Sequence, residues 1–151
     1  MPLFLRLMLP ALGLVVACGT HAATATCGTA SFEVTVEHRG HPLDNRYQLF
    51  GRTAPGAEPQ LLHTSDIGGW FYAACLQGER AVPLLVFQAF CGGSACVEDR
   101  YGIVETSTLH LLLAPGTGNT SNGAQAAALL KRAQPPDLSR AADTFCCDAG
   151  R

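Results

Sequence analysis

The sequence predicts a mainly β or α+β domain: an antiparallel β-meander of about seven strands with a C-terminal helix, stapled by disulfide bonds. Short segments that alternate apolar and polar residues recur between turns rich in glycine and proline, which indicates half-buried strands. One segment near the C-terminus instead has apolar residues at helical spacing. Seven cysteines accompany an N-terminal segment typical of exported proteins, so disulfide bonds are expected.

The N-terminal segment has the features of a secretory signal peptide. Residues 1–17 form an apolar run interrupted by Arg6 and Pro10, and Thr20 and Ala22 supply the small residues of a cleavage site after Ala22. The run is too short to span a bilayer. We therefore expect a signal peptide over residues 1–22 and a single exported, disulfide-bonded domain over residues 23–151.

A second interpretation of the same segment is a lipobox. Val15-Val16-Ala17-Cys18 resembles the bacterial lipoprotein pattern, in which the cysteine is lipidated and becomes the mature N-terminus. Soluble export is favoured, because the first of these residues is Val rather than Leu and only eight residues separate Cys18 from Cys27. Both interpretations leave six cysteines to pair with one another.

The composition limits the partners and the compartment. The chain has 10 basic and 12 acidic residues and a formal net charge of −2, without a basic cluster. This balance argues against binding to nucleic acid or to an anionic membrane surface. The abundance of Ala, Leu and Gly is typical of GC-rich bacterial coding. We therefore expect the periplasm as the destination, or the outer membrane if Cys18 carries a lipid.

Four strands in two hairpins are predicted in the first half of the domain. The first of them places Phe32, Val34 and Val36 on one face and polar residues on the other. Turn residues over 39–45 connect it to its hairpin partner. The four strands span residues 31–38, 46–52, 60–64 and 70–76.

Three further strands and a helix are predicted in the second half. Residues 81–90 are apolar on both faces except at Gln88, which is the pattern of a central strand covered on both sides. Residues 97–105 and 109–114 form one more hairpin after a turn over residues 91–96.

The helix is expected to begin after Asn122, as its N-cap, and to continue through Ala133. Its apolar stripe is Ala126, Leu129, Leu130 and Ala133, and Pro135 and Pro136 follow its end.

The six cysteines of the domain are expected to form three disulfide bonds. They are Cys27, Cys75, Cys91, Cys96, Cys146 and Cys147. A turn between adjacent strands brings Cys91 and Cys96 within disulfide reach, so we expect these two to pair. Cys146 and Cys147 then bond with Cys27 and Cys75, in either order, which would attach the chain end to the sheet.

Three other uses of these cysteines are less favoured. A redox-active pair usually has Cys-x-x-Cys spacing at a helix start, whereas four residues separate Cys91 from Cys96. That spacing also suits a zinc site, but an oxidising compartment opposes free thiolates. A vicinal Cys146–Cys147 disulfide would form a strained ring that acts as a switch or a ligand platform.

Residues that could carry chemistry also have ordinary structural interpretations. His38 and His41 could chelate a metal, but no acidic third ligand is near them in sequence. Ser94 lies in a segment like the nucleophile elbow of serine hydrolases, but Cys96 replaces the closing glycine. We therefore expect no catalytic, cofactor-binding or metal-binding residues, and no cofactor.

The acidic pair Glu98 and Asp99 does not indicate acid–base chemistry either. Adjacent residues of a strand point to opposite faces, so these two carboxyl groups cannot share a proton. Glu98 and Arg100 lie on one face and are expected to form an exposed ion pair, which contributes little to stability.

Trp70 and Tyr72 share one face of a predicted strand. Packing in the core is their default role. If they are exposed, they are the expected partner contacts, because such residues dominate interface energetics.

The sequence therefore favours a non-catalytic periplasmic protein that binds another protein of the cell envelope, as inhibitors and immunity proteins do. This expectation depends on a small rigid scaffold without an evident catalytic motif. Two alternatives remain open: a small cell-envelope hydrolase and an accessory lipoprotein of the outer membrane.

Overall fold

Two antiparallel sheets and one short helix make up the computed structural model, which describes residues 22–41, 44–65, 70–90, 100–116, 120–138 and 145–148. The strands are β1 (Ala22–Cys27), β2 (Ala30–Glu37), β3 (Arg46–Arg52), β4 (Gln60–Ser65), β5 (Trp70–Gln77), β6 (Pro83–Phe90), β7 (Tyr101–Glu105), β8 (His110–Leu113) and β9 (Phe145–Asp148). The helix α1 spans Gly123–Leu129. A four-stranded sheet has the order β1-β2-β3-β4, and a five-stranded sheet has the order β8-β7-β6-β5-β9.

The predicted fold class is confirmed, with the strands divided between two sheets. Consecutive strands pair antiparallel from β1 to β4 and again from β5 to β8, so each sheet is built on a meander. The described residues contain two strands beyond the seven expected, β1 and β9. The sequence of β1 consists of Ala and Thr before its final Cys27, and β9 has only four residues, so neither shows a strong alternating pattern.

The core between the sheets is built from the alternating apolar residues of β2 and β3. Phe32, Val34 and Val36 of β2 are buried, and the residues between them are not. An aromatic stack then connects the two sheets, because Tyr47 of β3 stacks on Phe71 of β5 with ring centroids 5.8 Å apart. The stack continues within the five-stranded sheet, where Phe71 stacks on Phe87 of β6 at 5.6 Å. The remaining members of this cluster include Leu49, Ala73, Leu85, Val104 and Leu109.

One glycine is required by this aromatic stack. The ring of Phe87 lies directly over Gly102 on the neighbouring strand β7, and a Cβ atom at Gly102 would overlap ring atoms of Phe87. The glycine therefore provides the space that lets Phe87 lie flat between the sheets.

The central strand β6 is buried on both faces, as its sequence predicts. Leu85 and Phe87 face the four-stranded sheet, whereas Leu84 and Val86 face a second apolar cluster. That cluster includes Ala126, Leu130 and Leu138, so α1 and the segment after it cover the second face of the five-stranded sheet. The described part of the chain contains no helix long and apolar enough to cross a membrane.

The buried face of α1 agrees with the predicted stripe at two positions and differs at two. Ala126 and Leu130 are buried, but Leu129 is 42% exposed and Ala133 is also exposed. The prediction is wrong at Ala133 because the helix ends earlier than expected: Lys131 has a left-handed φ of 54°, which ends the helix before Ala133. It is wrong at Leu129 because the helix turns a different face to the sheet, with Gly123 and Ala127 buried beside Ala126.

Asn122 precedes α1, as predicted, but its side chain does not cap the helix. Its amide instead bonds the backbone of β7: Oδ1 accepts from the N–H of Tyr101 at 2.7 Å, and Nδ2 donates to the carbonyl of Tyr101 at 2.8 Å. Nδ2 also lies 3.0 Å from the carbonyl oxygen of Ala114. The segment after the helix is held by Tyr101, whose hydroxyl donates to the carbonyl of Pro136 at 3.0 Å.

A disulfide bond between Cys27 and Cys75 joins the two sheets. The predicted bonding of these two cysteines to Cys146 and Cys147 is therefore wrong. The strand register gives the reason, because it places Cys146 opposite Tyr72 and Cys147 opposite Phe71. Along a strand, Cys75 is then about 10 Å or more from either position, and a disulfide requires a Cα separation below about 7 Å.

The Cys27–Cys75 bond leaves Cys91, Cys96, Cys146 and Cys147 as the remaining cysteines of residues 23–151. Cys91 and Cys96 lie outside the described residues, so their pairing stays a prediction. Cys146 and Cys147 lie in β9. The pairing of their side chains is not described, so it stays a prediction.

We predict that the double variant Cys27→Ala/Cys75→Ala loses about 4 kcal/mol of unfolding free energy, because the bond spans a sequence separation of 48 residues. Urea unfolding of the wild type and the variant, both oxidised, measures this difference. Peptide mapping without reduction should also find a fragment that links Cys27 to Cys75. A fragment that links either of them to Cys146 or Cys147 would contradict the pairing.

A second prediction concerns the buried face of α1. Leu130→Asp places a charge in the second apolar cluster and should lower the free energy of unfolding by about 3 kcal/mol or more. Leu129→Asp introduces the same side chain at the neighbouring exposed position and should change it by about 0.5 kcal/mol or less. Thermal and urea unfolding compare the two variants, and equal effects would mean that Leu130 is not buried.

Candidate contact surface

The outer face of the four-stranded sheet is the candidate functional surface, and we call it the open face. Its central row crosses all four strands, because Thr24 pairs with Glu33, Glu33 with Phe50, and Phe50 with Leu61. Side chains that pair across antiparallel strands lie on the same side of the sheet. The flanking rows are Thr26, Ser31 and Arg52 on one side and Thr35, Gln48 and Thr64 on the other.

All residues of these three rows are exposed or half-buried. Two of them are large and apolar: Phe50 is half-buried, and Leu61 is 50% exposed. The pairing of these two residues in adjacent strands places them at the centre of a surface that is otherwise polar. An apolar centre with a polar rim is the usual anatomy of a protein–protein contact.

A shallow cavity of about 120 Å³ lies beside Phe50. It is lined by Thr24, Ser31, Phe32, Glu33, Phe50 and Arg52. This volume suits one side chain of a partner better than a drug-sized ligand, since ligand sites usually measure about 300 Å³ or more.

Arginine side chains at both ends of the open face form hydrogen bonds or ion pairs with neighbouring residues. Nη1 of Arg52 donates to the carbonyl of Ala57 at 2.8 Å, which fixes this arginine against the loop between β3 and β4. At the other end of the sheet, Glu37 accepts from Arg39 at 3.2 Å, and Nη1 of Arg46 lies 3.9 Å from Glu37. These exposed ion pairs contribute little stability, but they give the rim charges of both signs.

The edges of the sheets are poorly suited to binding an added strand. β1 and β9 lie against each other at one side of the molecule. On the opposite side, β3 and β4 shift register between Leu49 and Phe50, and β7 and β8 shift between Ile103 and Val104. Such bulges disfavour pairing with another strand, so contact through a face is favoured over contact through an edge.

The two aromatic residues expected as partner contacts lie in the five-stranded sheet. Trp70 begins β5, and its side chain is not among those described. Tyr72 is half-buried and packs against the second apolar cluster beneath α1. This position agrees with the core-packing role. Its role as a partner contact stays a prediction.

Of the other residues singled out in the sequence for their chemistry, only His38 and His41 are among those that the structure describes. His38 and His41 are exposed, at the end of β2 and in the turn that follows it. Cys18, Ser94, Glu98 and Asp99 lie outside the described residues. Within the described part of the chain, no three His, Cys, Asp or Glu side chains are close enough together to hold a metal ion.

Arg100 is buried rather than exposed as expected. The residue is only 6% exposed, and its Nε atom has no hydrogen-bond partner among the described residues. Its expected ion pair with Glu98 lies outside the described residues and stays a prediction. The sequence gives no signal of this burial, because an arginine after two acidic residues ordinarily marks a solvated strand. Phe50, by contrast, could have been noticed in the sequence, because it is an apolar residue on the polar face of β3, between Gln48 and Arg52.

Comparisons with known proteins give no match for this chain, whether against family models, curated proteins or solved structures.

Proposed function

We propose that this protein is a non-catalytic binding module of the bacterial periplasm, and that it contacts another protein of the cell envelope through the open face. The observation that carries the proposal is the central row of that face, where Phe50 and Leu61 lie side by side within a polar surround. Aromatic and large apolar side chains in such a position supply most of the binding energy in protein interfaces.

The rigidity of the surface supports the same proposal. The buried side of the sheet is fixed by the aromatic stack with β5 and β6, and the Cys27–Cys75 bond joins β1 to β5. A surface that is already ordered loses little conformational entropy on binding. Inhibitors and immunity proteins bind their targets without turnover, so their function depends on affinity, which an ordered surface favours.

The disulfide also supports export. Disulfide bonds form and persist in oxidising compartments such as the periplasm, and the N-terminal segment has the pattern of a secretory signal. Cleavage after Ala22 would start the mature chain at Ala23, within β1.

We predict that a photo-crosslinking residue at Gln48 on the open face captures a specific envelope protein, whereas the same residue at the exposed Gln125 of α1 does not. With that partner purified, Phe50→Ala and Leu61→Ala should each weaken binding. Loss of a central anchor removes about 2 kcal/mol of binding free energy, or roughly 30-fold in affinity. Isothermal titration calorimetry measures the effect once circular dichroism has shown that each variant folds.

The matched control is Leu129→Ala, because Leu129 is an exposed leucine on α1, away from the open face. Its affinity should equal that of the wild type. Equal losses of affinity in Leu129→Ala and Leu61→Ala would contradict the open face as the contact surface. A loss of affinity confined to Tyr72→Ala would also contradict it. Turnover of an envelope substrate that one ionisable residue controls, with folding intact, would contradict a non-catalytic function altogether.

A separate prediction tests export. Mass spectrometry of the mature protein from an envelope fraction should find Ala23 at the N-terminus, and labelling with a radioactive fatty acid should give no signal. Label that enters the wild type and is lost in Cys18→Ser would instead show a lipoprotein, with the remaining domain unchanged.

A further inference from the structure

We infer that the cavity beside Phe50 binds the primary carboxamide of a glutamine or asparagine side chain, held between Glu33 and Arg52. The inference rests on the proposed function, because this cavity lies on the open face and the side chain comes from the protein partner. It specifies the chemical group that the partner places there.

A cavity with walls of opposite charge carries the inference. It measures about 120 Å³, and Glu33 and Arg52 both line it, together with Thr24, Ser31, Phe32 and Phe50. Glu33 pairs with Phe50, which precedes Arg52 by two residues along β3. The two charged residues are therefore diagonal neighbours on the same side of the sheet, with the cavity beside both of them.

The two charged side chains do not neutralise each other. Arg52 forms no ion pair within the described part of the chain, and its Nη1 donates instead to the carbonyl of Ala57 at 2.8 Å. The carboxylate of Glu33 has neither a hydrogen bond nor an ion pair among the described residues. Both groups therefore keep hydrogen-bonding capacity for a molecule that enters the cavity.

A second set of charges on the same sheet shows the other possible arrangement. Glu37 pairs with Arg46 in the strand register, and its carboxylate lies 3.9 Å from Nη1 of that arginine. The same carboxylate accepts from Nε of Arg39 at 3.2 Å. Glutamate and arginine side chains of neighbouring strands can thus meet on this sheet. At the cavity they line an open space instead.

The two walls specify the class of group that fits. A carboxylate only accepts hydrogen bonds, and a guanidinium only donates them. A cation is attracted by Glu33 but repelled by Arg52, and the reverse holds for an anion, so neither gains much from the pair. A neutral group with a donor beside an acceptor matches both walls.

The primary carboxamide has this pattern on two separate atoms. Its NH₂ group can donate to Glu33 while its oxygen accepts from Arg52, and hydrogen bonds to charged groups are stronger than those between neutral groups. A hydroxyl group would have to reach both walls with a single oxygen. Phe50 is half-buried and supplies an apolar wall for the methylene groups of the entering side chain.

Capped amino acids test the inference on the mature protein without the partner. The N-acetyl N-methylamides of glutamine and asparagine are the probes, and those of glutamate, lysine and norleucine are the controls. This cap leaves the side chain as the only primary carboxamide. In NMR titrations of isotope-labelled protein, we expect a carboxamide probe to shift the backbone amide signals of Glu33 and Arg52. It should bind about fivefold or more tightly than any control.

Two variants should change the preference in opposite directions. Glu33→Gln keeps the shape of the side chain and leaves a cationic wall, so the glutamate probe should become the tightest. Arg52→Gln leaves an anionic wall, so the lysine probe should become the tightest. The matched control is Glu105→Gln, which changes a strand glutamate of the five-stranded sheet and should leave the order of the probes as in the wild type.

The inference fails if no probe shifts these signals at the highest soluble concentration, or if a control binds the wild type as tightly as both carboxamides. It also fails if Glu33→Gln keeps the wild-type order of the probes. None of these measurements involves the protein partner. If they fail while Phe50→Ala and Leu61→Ala still weaken binding of that partner, the open face remains the contact surface and only the carboxamide is rejected.

Discussion

The five-stranded sheet has to be covered on both faces, and the arrangement of the other elements follows from that requirement. β6 is apolar on both sides, and it buries Phe87 towards one layer and Val86 towards the other. The four-stranded sheet covers the first face, and α1 with the segment to Leu138 covers the second. Since a sheet exposed on an apolar face would not be stable in water, neither layer is optional.

This layered arrangement also decides which face of the two sheets is accessible. Both faces of the five-stranded sheet are covered by other elements, so within the described part of the chain only the four-stranded sheet leaves one face uncovered. That face is polar except for Phe50 and Leu61, which lie in adjacent strands. Leu61 is exposed and Phe50 is half-buried, so neither belongs to the buried core, and the proposed contact with another protein accounts for their position at the centre of this face.

Local patterns in the sequence predicted most of the fold. The alternation in β2 and β3 and the doubly apolar β6 are direct consequences of residue periodicity, and the structure agrees with them. The disulfide pairing was predicted wrongly because it depends on how two sheets stack, which periodicity does not describe. The exposure of Leu129 has a similar origin, since packing against the sheet buries Gly123, Ala126, Ala127 and Leu130 and leaves Leu129 on the outer side of the helix. Arg100 was missed because burial at the end of a sandwich depends on non-local packing.

The two ends of the sandwich are stabilised in different ways. At one end a covalent bond joins β1 to β5, and its contribution does not depend on solution conditions other than redox potential. At the other end the sheets are held by the stack of Tyr47 on Phe71, beside the buried side chain of Arg100. This contact depends on buried apolar area, which denaturant weakens and redox potential does not, so the two ends of the sandwich respond to different conditions.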